Sequence, residues 1–210
     1  NIGTLNSRNV EAIILAGKRA NQLAHPVVLD PVGVGASTFR TKTALRLLNE
    51  VKFTVIRGNI SEIKTLAGVS TLTQGVDANI TDQITEETLD DSQKALQKKT
   101  GAIITITGVI DIVCNAKKAY VIRNGHSMMT TITGAGCQLS ALTAAYIAAN
   151  PDHVLEAAAA AVCAMGLAGE IAHDRLSELD GNASYRNYII DAIYNMTPEQ
   201  LEKGAKYEVR

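Results

Sequence analysis

Apolar residues recur along this chain in two alternating rhythms, one helical and one continuous. From about Ser7, Val10, Ile13, Ile14 and Leu23 fall at helical spacing. Pro26-Val27-Val28-Leu29-Asp30 is an unbroken apolar run stopped by an acid and Pro31, the mark of a strand buried on both faces. A helix is predicted from 37 or 38 to about 49, a strand over 53–56 ending in Arg57-Gly58-Asn59, and a short helix over 61–67. A polar loop at 69–82 precedes a charged helix over about 85–99, closed by Thr100-Gly101 with basic residues in its last turn. Residues 102–107 are a further apolar strand. Segment 111–129 turns antiparallel: Ile112-Val113-Cys114, then Tyr120-Val121-Ile122, then Asn124-Gly125 as a hairpin signal with 127–130 as the returning strand. Leu139, Leu142, Ala145, Tyr146 and Ala149 mark an apolar helix ending at Asn150. Asn150 is expected to cap an alanine-rich helix running to about Asp174, with Pro151 at its first position. A last helix over 185–194 leads into Thr197-Pro198-Glu199 and a charged tail.

Strands alternating with amphipathic helices imply parallel βαβ units with helices on both faces, an α/β layer fold with an antiparallel portion. A length of 210 residues suits a single domain, 1–210. The core must be built from Ala, Ile, Val and Leu, because the chain has no Trp and only 2 Phe. A formal net charge of −1, from 20 basic and 21 acidic residues, removes the electrostatic case for nucleic acid. No apolar run is expected to reach the length of a membrane span, and no signal sequence is expected at the start. Cys114, Cys137 and Cys163 are odd in number and far apart, which suggests neither a disulfide framework nor a zinc cluster and fits a cytoplasmic setting. The four histidines show no metal-ligand spacing.

The polar residues gather where strands end: Asp30, Arg57-Gly58-Asn59, Glu62, Thr107-Gly108 and Thr133-Gly134-Ala135-Gly136-Cys137. In parallel sheets, ligands bind beyond the carboxyl ends of the strands. The last of these motifs sits where a loop becomes a helix, so its backbone amides and the helix dipole suit an anion. Cys137 falls in this first turn, where a thiol's pKa tends to be lowered. Its alternative reading is an ordinary helix start with small residues for packing. Asp30 and Glu62 are ordinary helix-cap residues when taken alone. Beside an anion loop, the two acids point to a hydrated Mg²⁺, which one or two carboxylates and substrate phosphates can hold. Arg57 offers a permanent fork of donors for phosphate, or is a surface cation at a strand end. Thr107 either bonds a nucleotide or closes its strand.

Asp30-Pro31-Val32-Gly33-Val34-Gly35-Ala36, Arg57-Gly58-Asn59-Ile60-Ser61-Glu62 and Thr133-Gly134-Ala135-Gly136-Cys137 together resemble hydroxyethylthiazole kinase, of the ribokinase-like superfamily. Most of that superfamily has Asp where this chain has Cys137, and Cys there is peculiar to the thiazole kinases. The resemblance runs from Asn1 to about Tyr194. It implies a three-layer α/β/α fold with a mostly parallel central sheet and an antiparallel edge. It also implies ATP-dependent phosphorylation of the primary hydroxyl of 4-methyl-5-(2-hydroxyethyl)thiazole, a thiamine salvage step.

Carried over by position, Arg57, Asn59 and Thr107 would contact ATP, Gly134 the thiazole, and Asp30 and Glu62 would organise Mg²⁺ and phosphates. The amides of Gly134, Ala135, Gly136 and Cys137 would form the anion hole, with Cys137 accepting or orienting the substrate hydroxyl. The family is a homotrimer with sites at subunit interfaces. Its usual N-terminal strand-helix region, including a methionine that touches the thiazole, has no counterpart before Asn1. Gly181-Asn182-Ala183-Ser184-Tyr185 also replaces the family's Gly-Pro-Gly-Ser/Thr-Phe. Competing readings are another ribokinase-like kinase of the pyrimidine or pyridoxal type, a non-catalytic nucleotide- or thiazole-binding remnant, and a dinucleotide oxidoreductase. The last lacks its spaced triple glycine.

Overall fold

The computed structural model describes residues 1–68 and 86–210, with side chains described for all of these except 86–91. The polar loop expected at 69–82 lies outside the described residues. Two compact units are present, one of residues 1–108 with 114–118, the other of 109–113 with 119–210.

The first unit alternates α1 (Ser7–Gln22), β1 (Val28–Leu29), α2 (Thr38–Glu50), β2 (Val55–Asn59), α3 (Ile60–Ala67), α4 (Glu86–Thr100) and β3 (Ile103–Thr107). Strand β2 pairs in parallel with both β1 and β3, Val55 lying opposite Val28 on one side and Ile103 on the other. Val55, Ile56, Ile104 and Ile106 are wholly buried, as are Leu47, Ile63, Leu66 and Leu96 from the helices. Each such side chain contributes about 1.5–3 kcal/mol when taken from water. The helix starts are set by local acceptors: the Asn6 side chain takes the Asn9 amide, and the Ser37 side chain takes that of Arg40. Gly17 of α1 is small because Val51 crowds the place a Cβ would occupy.

Strand β4 (Asp111–Cys114) is followed by a tight turn in which the Asn115 carboxamide oxygen accepts the amides of Lys117 and Lys118. The second unit carries β5 (Ala119–Ile122), α5 (Ala135–Ala149), α6 (Val154–Asp174), α7 (Asn182–Asn195), α8 (Pro198–Gly204) and β6 (Tyr207–Val209). Helix α6 forms its core, with fourteen buried residues from Leu155 to Ala172, and it packs against α5 and α7. Tyr185 of α7 is fully buried and donates its hydroxyl to the Gly169 carbonyl at 3.0 Å. Gly166 admits the backbone of Asn124, which lies 2.7 Å from where a Cβ would stand. Close approach is therefore the reason for small residues on α6, as its composition implied.

Several local expectations are corrected. Residues 127–130 are not a strand; Ser127–Thr131 is a 3₁₀ turn. His126 Nδ1 accepts the Met128 amide, and the hydroxyls of Thr130 and Thr131 bond back to the carbonyls of Ser127 and Met128, which closes the turn on itself. Asn124-Gly125 makes no hairpin. The Asn124 side chain instead gives its amide to the Gly204 carbonyl and accepts the Lys206 amide, so it anchors the chain's last segment. That segment is not a tail alone: β6 pairs antiparallel with β5, Val209 opposite Tyr120. Helix α6 starts at Val154 with His153 as its cap residue, because Pro151 and Asp152 are taken up by a turn. Helix α7 starts three residues earlier than expected, at Asn182. At 21 residues α6 is also long and apolar enough to cross a membrane by length and composition, contrary to expectation. Its most apolar stretch is 72% buried inside the protein, which is the condition of a core helix.

Gly166→Ala should lower stability by about 1–3 kcal/mol, because the Cβ meets backbone and overpacking outweighs the gain in helix propensity. Urea denaturation checks this; an unchanged or raised midpoint would mean the α6 contact with Asn124 is loose.

Candidate active site

The strand ends of the first unit carry a chain of buried polar contacts. Asp30 follows β1 directly and is 2% exposed. One of its oxygens, Oδ2, accepts from Arg57 Nη1 at 2.9 Å and from Asn1 Nδ2 at 2.8 Å. Arg57 lies inside β2, not beyond it, and its Nη2 donates to Thr107 Oγ1 at 3.2 Å at the end of β3. One guanidinium thus spans the ends of three adjacent parallel strands. A planar fork of donors can do this where a flexible ammonium cannot.

Glu62 and Asn59 are joined in a capping box that starts α3. The Asn59 carboxamide accepts the Glu62 amide at 2.8 Å, and Glu62 Oε2 accepts the Asn59 amide at 2.9 Å. The other oxygen, Oε1, accepts the Gly33 amide at 2.9 Å, so the loop after Asp30 is tied to α3. Gly58 must lack a side chain, since a Cβ would lie 2.9 Å from Glu62 Oε2. Burial raises the Glu62 pKa above its ordinary 4.5; the amides of Gly33 and Asn59 oppose this, the Asp30 carboxylate adds to it, and Arg57 opposes it. Among the described residues, no group of three or more His, Cys, Asp or Glu could hold a metal ion. Two carboxylates close enough to feel one another, with a second lone pair left on each Glu62 oxygen, fit a Mg²⁺ that keeps most of its waters.

The remaining candidates lie together in the second unit. Gly134 is the residue before α5, in the left-handed region at φ 92°, with no side-chain cap. A Cβ there would meet nothing within 4 Å, so the glycine is required by its backbone angle and not by crowding. The first bond of α5 runs from the Gln138 amide to the Gly134 carbonyl at 2.9 Å. The amides of Ala135, Gly136 and Cys137 lie ahead of it, the donors a helix mouth directs at an anion. Cys137 is exposed, whereas Cys114 and Cys163 are buried. Burial and the Asp111 carboxylate push the Cys163 thiol up to about 11, leaving it inert as a nucleophile near neutral pH.

Some partners in these groups were not foreseen. Asn1 binds Asp30, Gly33 binds Glu62, and Asn182 binds Thr131 just ahead of the glycine loop. All three join stretches distant in sequence, and no local pattern signals them.

The hydroxyethylthiazole kinase family model matches residues 1–199. The chain belongs to the hydroxyethylthiazole kinase family. A hydroxyethylthiazole kinase of Clostridium acetobutylicum is 60% identical over 211 residues, covering 99% of this chain and 77% of that protein. One from Clostridium tetani is 46% identical over 210 residues, covering 99% and 76%. The solved structure of a hydroxyethylthiazole kinase protein from Pyrococcus horikoshii matches with a TM-score of 0.85 at 30% identity, covering 100% of this chain and 75% of that one. A pyridoxal kinase structure from Staphylococcus aureus matches at a TM-score of 0.63 and 20% identity, which speaks to the fold alone. The expected ribokinase-like α/β fold of this kinase-family chain is thereby established, with parallel strands in one unit and antiparallel pairing in the other.

Asp30→Asn should cost about 3–5 kcal/mol, because it strands a buried guanidinium, while Asp30→Leu combined with Arg57→Met should recover most of that loss. Thermal melts of the single and double variants check the pair; equal losses would show that burial of the charge is not what matters.

Glu62 gives a pH dependence. Its folded carboxyl holds a proton more tightly than the unfolded one, so its contribution is fully present below 4.5 and is lost as pH rises through the raised folded value. Glu62→Gln removes that titration. The stability of the unaltered chain relative to E62Q should fall as pH rises from 4.5. Denaturation at stepped pH checks the sign, and a difference that rises with pH would contradict the burial argument.

Proposed function

We propose that this chain transfers the terminal phosphoryl group of ATP to the primary hydroxyl of 4-methyl-5-(2-hydroxyethyl)thiazole, a step of thiamine salvage. The observation that carries the reading is the glycine loop of a family member: Gly134 in the left-handed conformation opening α5, with exposed Cys137 in its first turn. The amides of Gly134, Ala135, Gly136 and Cys137 serve as the anion hole, and Gly134 adjoins the thiazole. Arg57, Asn59 and Thr107 contact ATP. Asp30 and Glu62 hold Mg²⁺, which when bound offsets charge on the phosphates. The whole chain acts as one kinase domain, as a homotrimer in the cytoplasm with sites at subunit interfaces.

Phosphoryl transfer depends mainly on positioning and on charge stabilisation. The alcohol oxygen bonds to the terminal phosphorus as the bond to the ADP oxygen breaks. The hydroxyl proton leaves late, so the demand on its acceptor is modest, and the Cys137 sulfur accepts or orients it. A carboxylate at position 137 would do the same work: it is a weaker base than a thiolate, but almost all of it is ionised at neutral pH.

The test is a coupled ADP-release assay with the thiazole alcohol, Mg²⁺ and ATP. The expected result is alcohol-dependent turnover. Cys137→Asp should retain or raise it, and Gly136→Val should abolish it by blocking approach to the amides. ATP binding in calorimetry without alcohol-dependent ADP release would favour a non-catalytic binding protein. A folded but inactive C137D would refute the role of Cys137.

A further inference from the structure

Gly134 has open space around it, so the glycine loop is not placed by packing at that residue. Its path is held on one side by α5, which packs on α6, and on the other by the segment that leads into it. Thr131, three residues earlier, ends the 3₁₀ turn and is bonded to Asn182, the first residue of α7. Asn182 Nδ2 donates to the Thr131 carbonyl at 3.0 Å. The Thr131 hydroxyl lies 3.2 Å from Asn182 Oδ1 and 2.8 Å from the Met128 carbonyl. A hydroxyl has one proton, and the shorter contact claims it. The firm link across 51 residues is therefore the carboxamide donor on the Thr131 carbonyl.

Both ends of that link are held. Helix α7 is fixed to α6 by the buried Tyr185 hydroxyl on the Gly169 carbonyl. The 3₁₀ turn is closed by His126, whose Nδ1 accepts the Met128 amide and whose carbonyl accepts the Met129 amide at 2.9 Å. Met129 in turn lies against Gly169 of α6. A rigid support thus ends at Thr131, and Asn182 ties its last carbonyl down.

We infer that Asn182 is a positioning residue for the glycine loop: through Thr131 it fixes where the amides of Gly134, Ala135, Gly136 and Cys137 stand. It touches no substrate itself. The kinetic part of this inference rests on the kinase reading above, while the structural part does not.

Asn182→Asp is the diagnostic change. It is nearly isosteric, and an acid at the first position of a helix is favoured by the dipole, so α7 should form as well or better. It deletes the donor and sets a carboxylate oxygen against the Thr131 carbonyl. Asn182→Ser, another good helix-start residue but too short to reach Thr131, is the second variant should the first fold poorly. Hydrogen exchange by mass spectrometry over residues 132–138 should quicken about two- to tenfold in both, the range for loss of one hydrogen bond. Thermal midpoints should stay near that of the unaltered protein. In the coupled assay kcat should fall by a similar factor, with the KM for ATP unchanged. Unchanged exchange over 132–138 would overturn the inference, and so would faster exchange with unchanged kcat. Absence of turnover in the unaltered protein would instead overturn the kinase reading, and the exchange result would then judge the tether by itself.

Discussion

Much of the first unit's polar end depends on one buried ion pair. Asp30 and Arg57 are 2% and 8% exposed, and each is tolerable there because it pairs with the other and is hydrogen-bonded besides, Asp30 by Asn1 and Arg57 to Thr107. The pair is weak as a source of stability, since both ions give up their hydration to form it. What it supplies is registry. Arg57 reaches Asp30 after β1 and Thr107 at the end of β3 while standing in β2, so the ends of the three strands cannot slip past one another without stranding a charge. A one-residue slip of a strand would also turn its side chains to the opposite face. The hydrophobic runs of these strands do not specify register well, because they are apolar on both faces. The polar cap at their ends does.

Glu62 shows how the same region holds a carboxylate that its surroundings disfavour. Two backbone amides bind it, which alone would lower its pKa, yet burial and the nearby Asp30 carboxylate leave the balance on the raised side. A group in this state gains from any cation brought near it. Its structural duty and the proposed metal-binding duty therefore do not conflict: the capping box fixes its orientation, and a cation would offset the unfavourable burial.

The alternation of strands and helices in the first unit was legible because each element is a single long pattern with an ordinary cap, as at Ser37 and Asn59. The polar motifs of the first unit do lie at strand ends as expected, whereas the Gly134 loop follows a 3₁₀ turn and not a strand. What escaped was set by contacts distant in sequence. Residues 127–130 are expected as a strand because they follow Asn124-Gly125, but His126 and two threonine hydroxyls satisfy the local backbone as a 3₁₀ turn. Asn124-Gly125 has the form of a hairpin, yet the strand beside β5 arrives from Tyr207–Val209, and Asn124 is used to receive it. No local pattern encodes a partner 80 residues away. The pattern of the alanine-rich helix sets its start a few residues early, and the neighbours that its glycines admit, Asn124 at Gly166 and Met129 at Gly169, are seen only in the structure.

The two groups of candidate residues are built on opposite principles. Asp30, Arg57, Glu62, Asn59 and Thr107 are side chains held by one another and by amides, so each position tolerates little change. The loop from Gly134 to Cys137 offers main-chain donors instead, and around Gly134 it has room. Main-chain donors are lost by substitution only to proline, but they can be misplaced, and an anion hole is only as good as its placement. Selection on such a loop must therefore act on the glycines that permit its path and on whatever holds its ends. That is why Gly134 at φ 92° and the support beneath Thr131 matter more to the proposed chemistry than the identity of the loop's own side chains. Cys137 is the exception, because there the side chain itself is offered to solvent.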